Sequence, residues 1–374
     1  MNVKHKIARE DRIKLSILVL SSGRYSTIER CLKSFEPIKQ AIPTEIVVVN
    51  TDPRKKIDVQ HIISRYADKI TDFSWCDDFS AARNAGLAKA EGEWLLYIDD
   101  DEWLMDTKPI IDFLRFGNIE FNWCNLSVRN YFNTELTEYQ DTWVSRLFRI
   151  YPDSRFEGIV HEGFRPIEGK PKILEAKIGH TGYIFQSEAE NRRHSERNIR
   201  LLKKAIIKEP RNARLWVQIV QEYGALSDYD TQKRVCEKYI ILSAKIKETE
   251  DNKRYVNNLR GLFVGCRVRI DVMTQHWQDA EKVFNAFAKE IGTYGIVADG
   301  FLCLMGMIFS YNQGNFVKTK VFCNGWLHNY SIYRENPTEY AEDEVYFLGE
   351  AFDKNAVTTI GVILEQIKKY MGEK

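Results

Sequence analysis

The sequence predicts an α/β domain with a mostly parallel sheet, followed by an all-α domain. In the first half, short apolar runs typical of buried strands alternate with segments of helical spacing. From about Glu188 onward the spacing is helical almost to the end of the chain. A chain of 374 residues is long enough for two domains. We place the boundary after residue 187, which gives predicted domains of 1–187 and 188–374.

Three segments of the first half read as buried strands, 14–20, 45–49 and 93–98, and a weaker strand is predicted over 69–74. The first helix is predicted from apolar residues at helical spacing, Ile28, Cys31, Leu32 and Phe35, with Ser26 or Thr27 as its N-cap. A second helix is predicted over 58–66, and an alanine-rich third follows Asp77 and Asp78, which are placed to cap it. Such alternation indicates parallel strands with right-handed crossovers, and ligands of these sheets bind at the carboxyl ends of the strands.

The pattern changes between residues 120 and 185. Three segments, NWCNLSVRNYF, WVSRLFRIY and KIGHTGYIF, read as strands separated by polar turns. We expect them to extend the sheet as antiparallel strands.

The second half contains spacing typical of tetratricopeptide repeats. Trp216, Ile219, Val220 and Tyr223 match the first helix of such a unit, with Val in place of Gly, and Ala280 and Phe284 match the second. No complete repeat can be aligned, so a degenerate tetratricopeptide-like array and a plain helical bundle both remain open. Helical arrays build concave surfaces suited to peptides or to self-association, so we also expect a homodimer through this domain.

Composition excludes several classes of protein. The net charge of +1 gives no general attraction to nucleic acid or membrane surfaces. The seven cysteines form no CxxC pair, which is typical of reduced thiols in a cytoplasmic protein. The N-terminus lacks the apolar centre of a signal peptide, and no run approaches the ~20 apolar residues of a membrane span.

The stretch YIDDDEWL, residues 97–104, places four carboxylates where the fourth strand is predicted to end. Neighbouring carboxylates raise one another's pKa unless a cation or ordered donors neutralise them. One interpretation is that Asp100 and Asp101 begin a helix holding Trp103 and Leu104. The other is a ligand site, in which Asp99 and Asp101 divide sugar binding and metal binding. In the second case Asp100 and Glu102 are further candidate ligands.

Three segments together resemble the family 2 glycosyltransferases, inverting enzymes with the GT-A nucleotide-sugar fold. They are LSILVLSSGRYSTIERCLKSF, EIVVVNTDP and DDFSAARNAGLAKAEGEWLLYIDDDEWL. The third matches the family's R-N-x-G block with its acidic stretch, and its order and spacing make it the most specific signal in the chain. The family usually has Asp at the end of the second strand, where this chain has Asn50. Asp52 is the alternative contact to the base.

The resemblance implies a nucleotide-sugar site built from named residues. Ser21 and Ser22 would border the nucleotide, Asn50 and Asp52 would lie at its base, and Arg83 would approach base and diphosphate. Asp99 and Asp100 would contact the donor. Asp101 would act in catalysis by holding Mg2+ or Mn2+, which also takes diphosphate oxygens. For Arg83, the alternative is an ordinary surface arginine.

The segment SRLFRIYPDSRFEGIVHEGF, residues 145–164, resembles a second block of soluble family members with helical extensions. It makes Glu162 the candidate general base, because inverting transfer needs one carboxylate to accept the nucleophile's proton. Asp141 and Glu157 are rival bases, and a structural ion pair between Glu162 and an arginine is the alternative. His180 in KIGHTGY resembles the family's H-x-G-Y, which implies a metal ligand, although a lone histidine is more often structural.

The overall layout is similar to bacteriocin S-glycosyltransferases of the sublancin type, which modify a cysteine of a peptide. We therefore expect a metal-dependent transferase that moves a hexose from a UDP-sugar to a Cys or Ser of a precursor peptide. The alternatives are transfer to a cell-surface saccharide, and a non-catalytic nucleotide-binding scaffold whose helical domain binds peptides.

Overall fold

The computed structural model describes residues 12–371, except 53–55, 118–119, 186, 248, 250–251, 341–350 and 353. The chain forms two compact units, Met1–Arg193 and His194–Lys374. The predicted order, an α/β unit followed by an all-α unit, is confirmed. The finer boundary after residue 187 stays a prediction.

The described residues of the first unit form ten strands: β1 (Leu15–Ser21), β2 (Thr44–Asn50), β3 (Lys69–Asp72), β4 (Trp94–Asp99), β5 (Glu102–Leu104), β6 (Trp123–Tyr131), β7 (Tyr139–Arg149), β8 (Arg155–Glu157), β9 (Gly163–Arg165) and β10 (Lys172–His180). Its helices are α1 (Tyr25–Lys33), α2 (Glu36–Ala41), α3 (Lys56–Tyr66), α4 (Phe79–Leu87) and α5 (Lys108–Asp112), the last continued by a π-helical turn (Phe113–Gly117). All four predicted strands are therefore present, although β3 is only half-buried.

Eight strands form one sheet in the order β3-β2-β1-β4-β7-β6-β10-β5, and β8 pairs with β9 in a separate hairpin. Strands β3, β2, β1 and β4 are parallel, and β7 is antiparallel to both β4 and β6. The expectation of three antiparallel strands is wrong for β10, which runs parallel to β6. The reason is that β7 ends beside the start of β6, and β10 begins at that same end of the sheet, since Lys172 pairs with Cys124.

Strands β1, β2 and β4 are buried on both faces, which explains their continuous apolar runs. On β1, Ile17 and Val19 pack into one hydrophobic cluster and Leu18 and Leu20 into another.

The predicted N-cap of the first helix is wrong: α1 begins after Arg24 without a side-chain cap, so Ser26 and Thr27 lie inside its first turn.

The cap of the alanine-rich helix is confirmed for one of its two candidates. The Asp78 carboxylate accepts a hydrogen bond from the Ala81 N–H at 2.9 Å. Asp77 instead accepts from Trp75 Nε1 at 3.2 Å.

The second unit is helical. Its helices are α6 (Glu188–Lys208, which begins before the boundary), α7 (Ala213–Ala225), α8 (Tyr229–Ser243), α9 (Lys253–Met273), α10 (Trp277–Ala286), α11 (Ile296–Asn312), α12 (Phe316–Glu335) and α13 (Lys354–Met371), with a 3-10 turn at Pro337–Tyr340. The repeat-like residues lie as the spacing predicts: Ile219, Val220 and Tyr223 are buried on α7. Ala280 and Phe284 are buried on α10. The predicted homodimer stays a prediction.

Across the described ranges, no helix is both long enough and apolar enough to cross a bilayer. All seven cysteines are free thiols.

Candidate active site

The acidic stretch lies at the carboxyl edge of the sheet, between two neighbouring parallel strands. Leu20 of β1 pairs with Asp99 of β4, so the ends of both strands meet there. Three of the four carboxylates are buried: Asp100, Asp101 and Glu102. The helix-start interpretation is wrong, because Glu102 begins strand β5, which pairs with β10. Buried carboxylates at a sheet edge require partners, and each of these has one.

Asp100 is bound by the end of β1. Its Oδ2 accepts hydrogen bonds from the Ser22 N–H at 2.7 Å, from Ser22 Oγ at 3.2 Å and from Ser21 Oγ at 3.3 Å. Burial raises the pKa of Asp100 to about 6, although Arg24 opposes this. Ser21 is buried and Ser22 exposed, so of the two serines only Ser22 is open to solvent.

Asp101 lies between a cation and an imidazole. Its Oδ2 contacts Nη1 of Arg24, and its Oδ1 lies 3.8 Å from Nε2 of His180. The Nδ1 of His180 is 2.8 Å from Oδ1 of Asn130, a hydrogen-bond acceptor, so Nε2 is the ring nitrogen that faces Asp101. Asp101 and His180 are therefore brought together as predicted, 79 positions apart in sequence.

Gly182 leaves open space beside these two side chains. A Cβ at this position would lie 2.3 Å from His180 Nε2 and 2.9 Å from Asp101 Oδ2. One carboxylate and one imidazole with space between them fit Mn2+ or Mg2+, which take few protein ligands and complete their shell with phosphate and water. Within the ranges that the structure describes, no group of three or more His, Cys, Asp or Glu side chains could hold a metal by itself. The diphosphate would therefore have to supply ligands.

A pair of buried arginines lies behind the acidic turn. Arg83 is 3% exposed, its Nη2 lies 2.9 Å from Asp99 Oδ1, and its Nε contacts Glu162 Oε1. Arg146 Nη2 lies 2.5 Å from Glu102 Oε1. Both guanidinium groups pack on the Tyr97 ring, at 4.7 and 4.6 Å from its centre. The surface alternative for Arg83 is thus wrong.

These arginines set the charge of the carboxylates. Burial raises the pKa of Asp99, but Arg83 and Arg146 outweigh it and hold the pKa below its ordinary value. For Glu102 burial prevails over Arg146, and its pKa is raised. Among the described residues, Nη1 of Arg83 and Nε of Arg146 are buried and lack a hydrogen-bond partner. The cluster thus contains two donors not used by the protein.

Glu162 forms an ion pair with Arg83, as the alternative to its role as general base expected. The same contact with Arg83 connects it to Asp99, so one guanidinium holds carboxylates from β4 and from the loop before β9. The rival bases have other partners: Asp141 makes two 2.8 Å hydrogen bonds with Arg129, and Glu157 pairs with Arg155 at 2.6 Å.

At the end of β2, Asn50 is joined to its neighbours. Its Nδ2 donates to Asp72 Oδ1 at 3.2 Å, and its Oδ1 accepts from the Asp52 N–H at 3.3 Å. Asn50 and Asp72 are register partners on β2 and β3. These two hydrogen bonds hold the Asn50 amide between the Asp72 carboxylate and the Asp52 backbone.

Comparison with known proteins agrees with this arrangement. Residues 16–166 match the family described as Glycosyl transferase family 2. The matched residues lie within the N-terminal unit and make up most of it. The match covers β1 to β9, including Asp99, Asp101 and Glu162, and ends before β10 and His180. The fold is accordingly GT-A followed by an all-α domain.

Two curated relatives are similar in sequence to this chain, one named as a glycosyltransferase and the other as a TPR repeat-containing protein. The chain is 28% identical over 223 residues to the SPbeta prophage-derived glycosyltransferase SunS of Bacillus subtilis, a match that covers 57% of this chain and 50% of SunS. It is 29% identical over 157 residues to a TPR repeat-containing protein of Synechococcus elongatus, with 40% of this chain and 35% of that protein covered. The chain thus spans half or less of the length of these relatives.

Solved structures of S. aureus TarS are similar more distantly. The 1–349 fragment shows 14% identity, a TM-score of 0.36 and coverage of 81% of this chain and 92% of that chain. The same fragment in complex with UDP-GlcNAc shows 15% identity, a TM-score of 0.32 and the same coverage.

Sequence reasoning did not identify several residues of this candidate site. They are Arg24, Asn130, Gly182 and Asp72. Each acts through a partner distant in the chain, so no local spacing marks it. Gly182 had the best signal available, since it follows His180 in the H-x-G-Y segment.

Proposed function

We propose that this protein is a metal-dependent inverting glycosyltransferase that moves a hexose from a UDP-sugar to a Cys or Ser of an acceptor peptide. The observation that carries the proposal is the shared guanidinium of Arg83. It joins Asp99, on the donor side, to Glu162, the candidate base, and Asp101 and His180 follow at the same edge of the sheet.

Donor binding is assigned to the ends of β1, β2 and β4. We assign Asn50, Asp52 and Asp72 to the base, supported by their contacts with one another, and the exposed Ser22 with Arg24 to the ribose and diphosphate. Asp99, ionised because its pKa is lowered, is suited to accept hydrogen bonds from sugar hydroxyls. The N-terminus of α1, which follows Arg24, and the Arg24 guanidinium would favour the negative charge of the diphosphate.

Asp101 and His180 are the residues that would hold the metal, and Gly182 leaves room for it. Such an ion supplies charge neutralisation of the leaving diphosphate. Arg24, which contacts Asp101 in this structure, would then share the carboxylate or turn to the phosphates.

Glu162 is assigned the acceptor proton. The thiol or hydroxyl gives its proton to the Glu162 carboxylate as its sulfur or oxygen bonds to the anomeric carbon, while the bond from that carbon to the diphosphate oxygen breaks and UDP leaves. Arg83 is a positioning residue in this scheme. It keeps Glu162 in one orientation, and its ion pair with Asp99 links that orientation to the bound donor.

The test is UDP release from UDP-glucose and UDP-GlcNAc with MnCl2, measured with and without EDTA. We expect Asp101→Asn to abolish the metal-stimulated release. The matched control is Asp106→Asn, which changes an exposed aspartate five positions away and should leave the rate unchanged.

Glu162→Gln tests the role of the general base independently of donor binding. It should lower transfer by about 10²–10⁴-fold while nucleotide binding in calorimetry is retained. If wild-type protein releases no UDP from either donor, and Asp101→Asn makes no difference, the scaffold alternative replaces the enzyme.

A further inference from the structure

Strand β7 is paired on both edges over only part of its length. On one edge β6 pairs with it from Tyr139 to Phe148, whereas on the other edge β4 pairs only with residues 147–149. No strand in the described part of the chain pairs with the second edge over residues 139–145. Residues 139–143 are all exposed. An unpaired strand edge is a ready template for another strand.

The orientation of the backbone groups along this edge follows from the hairpin. The Phe132 N–H donates to the Glu138 carbonyl at 2.9 Å, which makes 132 and 138 a hydrogen-bonded pair. Because such pairs alternate, Gln140 and Thr142 also point their backbone groups at β6. Tyr139, Asp141 and Trp143 therefore point theirs outward.

The next outward residue confirms this alternation. The carbonyl of Ser145 accepts a hydrogen bond from the Tyr97 hydroxyl of β4 at 3.0 Å, on the side away from β6. The outward groups of Tyr139, Asp141 and Trp143 continue the same row beyond the point where β4 stops.

The open edge lies beside the acidic turn. Leu96 is the last β4 residue paired with β7, opposite Leu147. Continuing that register would set Asp99 beside Val144 and Asp101 beside Thr142. The chain instead turns after Asp99 and enters β5, which pairs with β10 and not with β7. The position that β4 would have filled is left free next to the candidate site.

We propose that this edge binds the acceptor as an extended peptide, which adds a strand along Tyr139–Trp143 and places its nucleophile at the acidic turn. This rests on the proposed function and names its substrate class. A row of alternating backbone donors and acceptors is complementary to a peptide backbone and not to the irregular hydroxyls of a saccharide. Five residues of strand extend over ~17 Å, which suits a short unfolded segment.

A second copy of the chain fits this edge less well. Antiparallel pairing of two β7 edges around Asp141 would bring two Arg129–Asp141 ion pairs together with like charges opposite each other, which is unfavourable. A parallel segment of a flexible peptide meets no such repulsion.

The experiment compares two substitutions of Trp143. Trp143→Pro removes one outward N–H without touching the bonds to β6, since proline is tolerated on strand edges. Trp143→Val keeps that N–H and removes the same aromatic ring, which is 52% exposed. The probe is a pool of nonapeptides with a central cysteine and four randomised residues on each side, incubated with UDP-glucose or UDP-GlcNAc and MnCl2. Mass spectrometry measures glycosylated peptide, and UDP release without peptide measures donor turnover.

We expect the valine variant to transfer sugar within about threefold of wild type and the proline variant about tenfold less, the effect of one lost hydrogen bond with a similar loss of alignment. Donor turnover should be the same in all three proteins, which shows that the site is intact. An accepted peptide can be resynthesised in two forms, one N-methylated at odd positions and one at even positions. Only one of the two forms should lose transfer, because alternate N–H groups of a strand point to opposite edges.

Three results overturn the proposal. Equal transfer by the two variants shows that the edge does not bind peptide. Donor turnover without any peptide product from wild type shows a different acceptor class, while the transferase assignment stands. A dimer that is lost in the proline variant alone, seen by light scattering, assigns the edge to self-association. No UDP release from wild type refutes the proposed function itself.

Discussion

Asn130 Oδ1 lies 2.8 Å from His180 Nδ1, across a pair of strands that sequence reasoning had not expected to run parallel. The two residues are register partners on β6 and β10. Since the imidazole proton is held on Nδ1, Nε2 is the nitrogen available to a metal. An amide in this position fixes both the ring orientation and the tautomer.

Replacing Asn130 tests this relationship. Asn130→Ala should weaken the apparent affinity for Mn2+ by about 10–100-fold, because the imidazole loses its orienting partner. The measurement is UDP release as a function of Mn2+ concentration. Asn125→Ala is the control on the same strand, since Asn125 bonds only Ser145 of β7 in the hairpin. An unchanged Mn2+ dependence in Asn130→Ala would argue against His180 as a ligand.

Gly182→Ala should remove the metal site while leaving the fold intact. The added methyl would lie 2.3 Å from His180 Nε2 and so displace either the imidazole or the ion. We expect loss of Mn2+-stimulated turnover and a thermal midpoint within a few degrees of wild type. Gly361→Ala is the matched control, because nothing lies within 4 Å of its added carbon. Full activity of Gly182→Ala would show that the space beside His180 is not used.

Arg83→Met should destabilise the protein strongly. Removing the cation leaves the buried Glu162 carboxylate without its partner and takes one of two neighbouring arginines from the half-buried Asp99, which costs about 3–5 kcal/mol. Adding Glu162→Gln to this variant should restore part of the loss, so the two changes are not additive. Urea unfolding measures both. Arg155→Met, which breaks an exposed pair with Glu157, should cost less than about 1 kcal/mol. A similar cost for the two arginines would contradict the buried network.

Asp100→Asn should stabilise the protein at high pH only. Burial raises the pKa of Asp100 from 3.8 to about 6, so the folded state binds this proton more tightly than the unfolded state does. The free energy of unfolding therefore falls as pH rises between these two values, and the loss is complete above the higher one. Asparagine carries no charge and can still accept from the Ser22 N–H.

For that variant we expect a free energy of unfolding about 1–3 kcal/mol above wild type at pH 8. At about pH 4, where wild-type Asp100 is protonated in the fold, the difference should nearly vanish. Urea unfolding in EDTA at both pH values measures it without bound metal. A difference independent of pH would mean that the charge of Asp100 is not the cause.

Much of the first unit was predictable because its signals are local. A parallel strand buried on both faces must be apolar throughout, so 14–20, 45–49 and 93–98 are visible in the sequence. The acidic stretch follows such a strand directly, which placed Asp99 and Asp101 at the carboxyl edge. Helical spacing likewise located α7 and α10.

Strand β5 was not predictable. It has only three residues, and EWL at the end of an acidic stretch reads equally well as a helix start. Pairing with β10 decided the matter, and that pairing joins residues 102–104 to 178–180. Local propensity is weak beside such a ladder of tertiary hydrogen bonds.

The sequence by itself determined the α/β and all-α order, the family resemblance and the residue types of the site. Only the tertiary structure decided their partners: Arg83 with both Asp99 and Glu162, Asn130 with His180, and Gly182 beside Asp101. It alone also left the edge of β7 unpaired beside the acidic turn. The physical reason is that burial and charge act between side chains close in space, and spacing along the chain carries no record of which distant segments will meet.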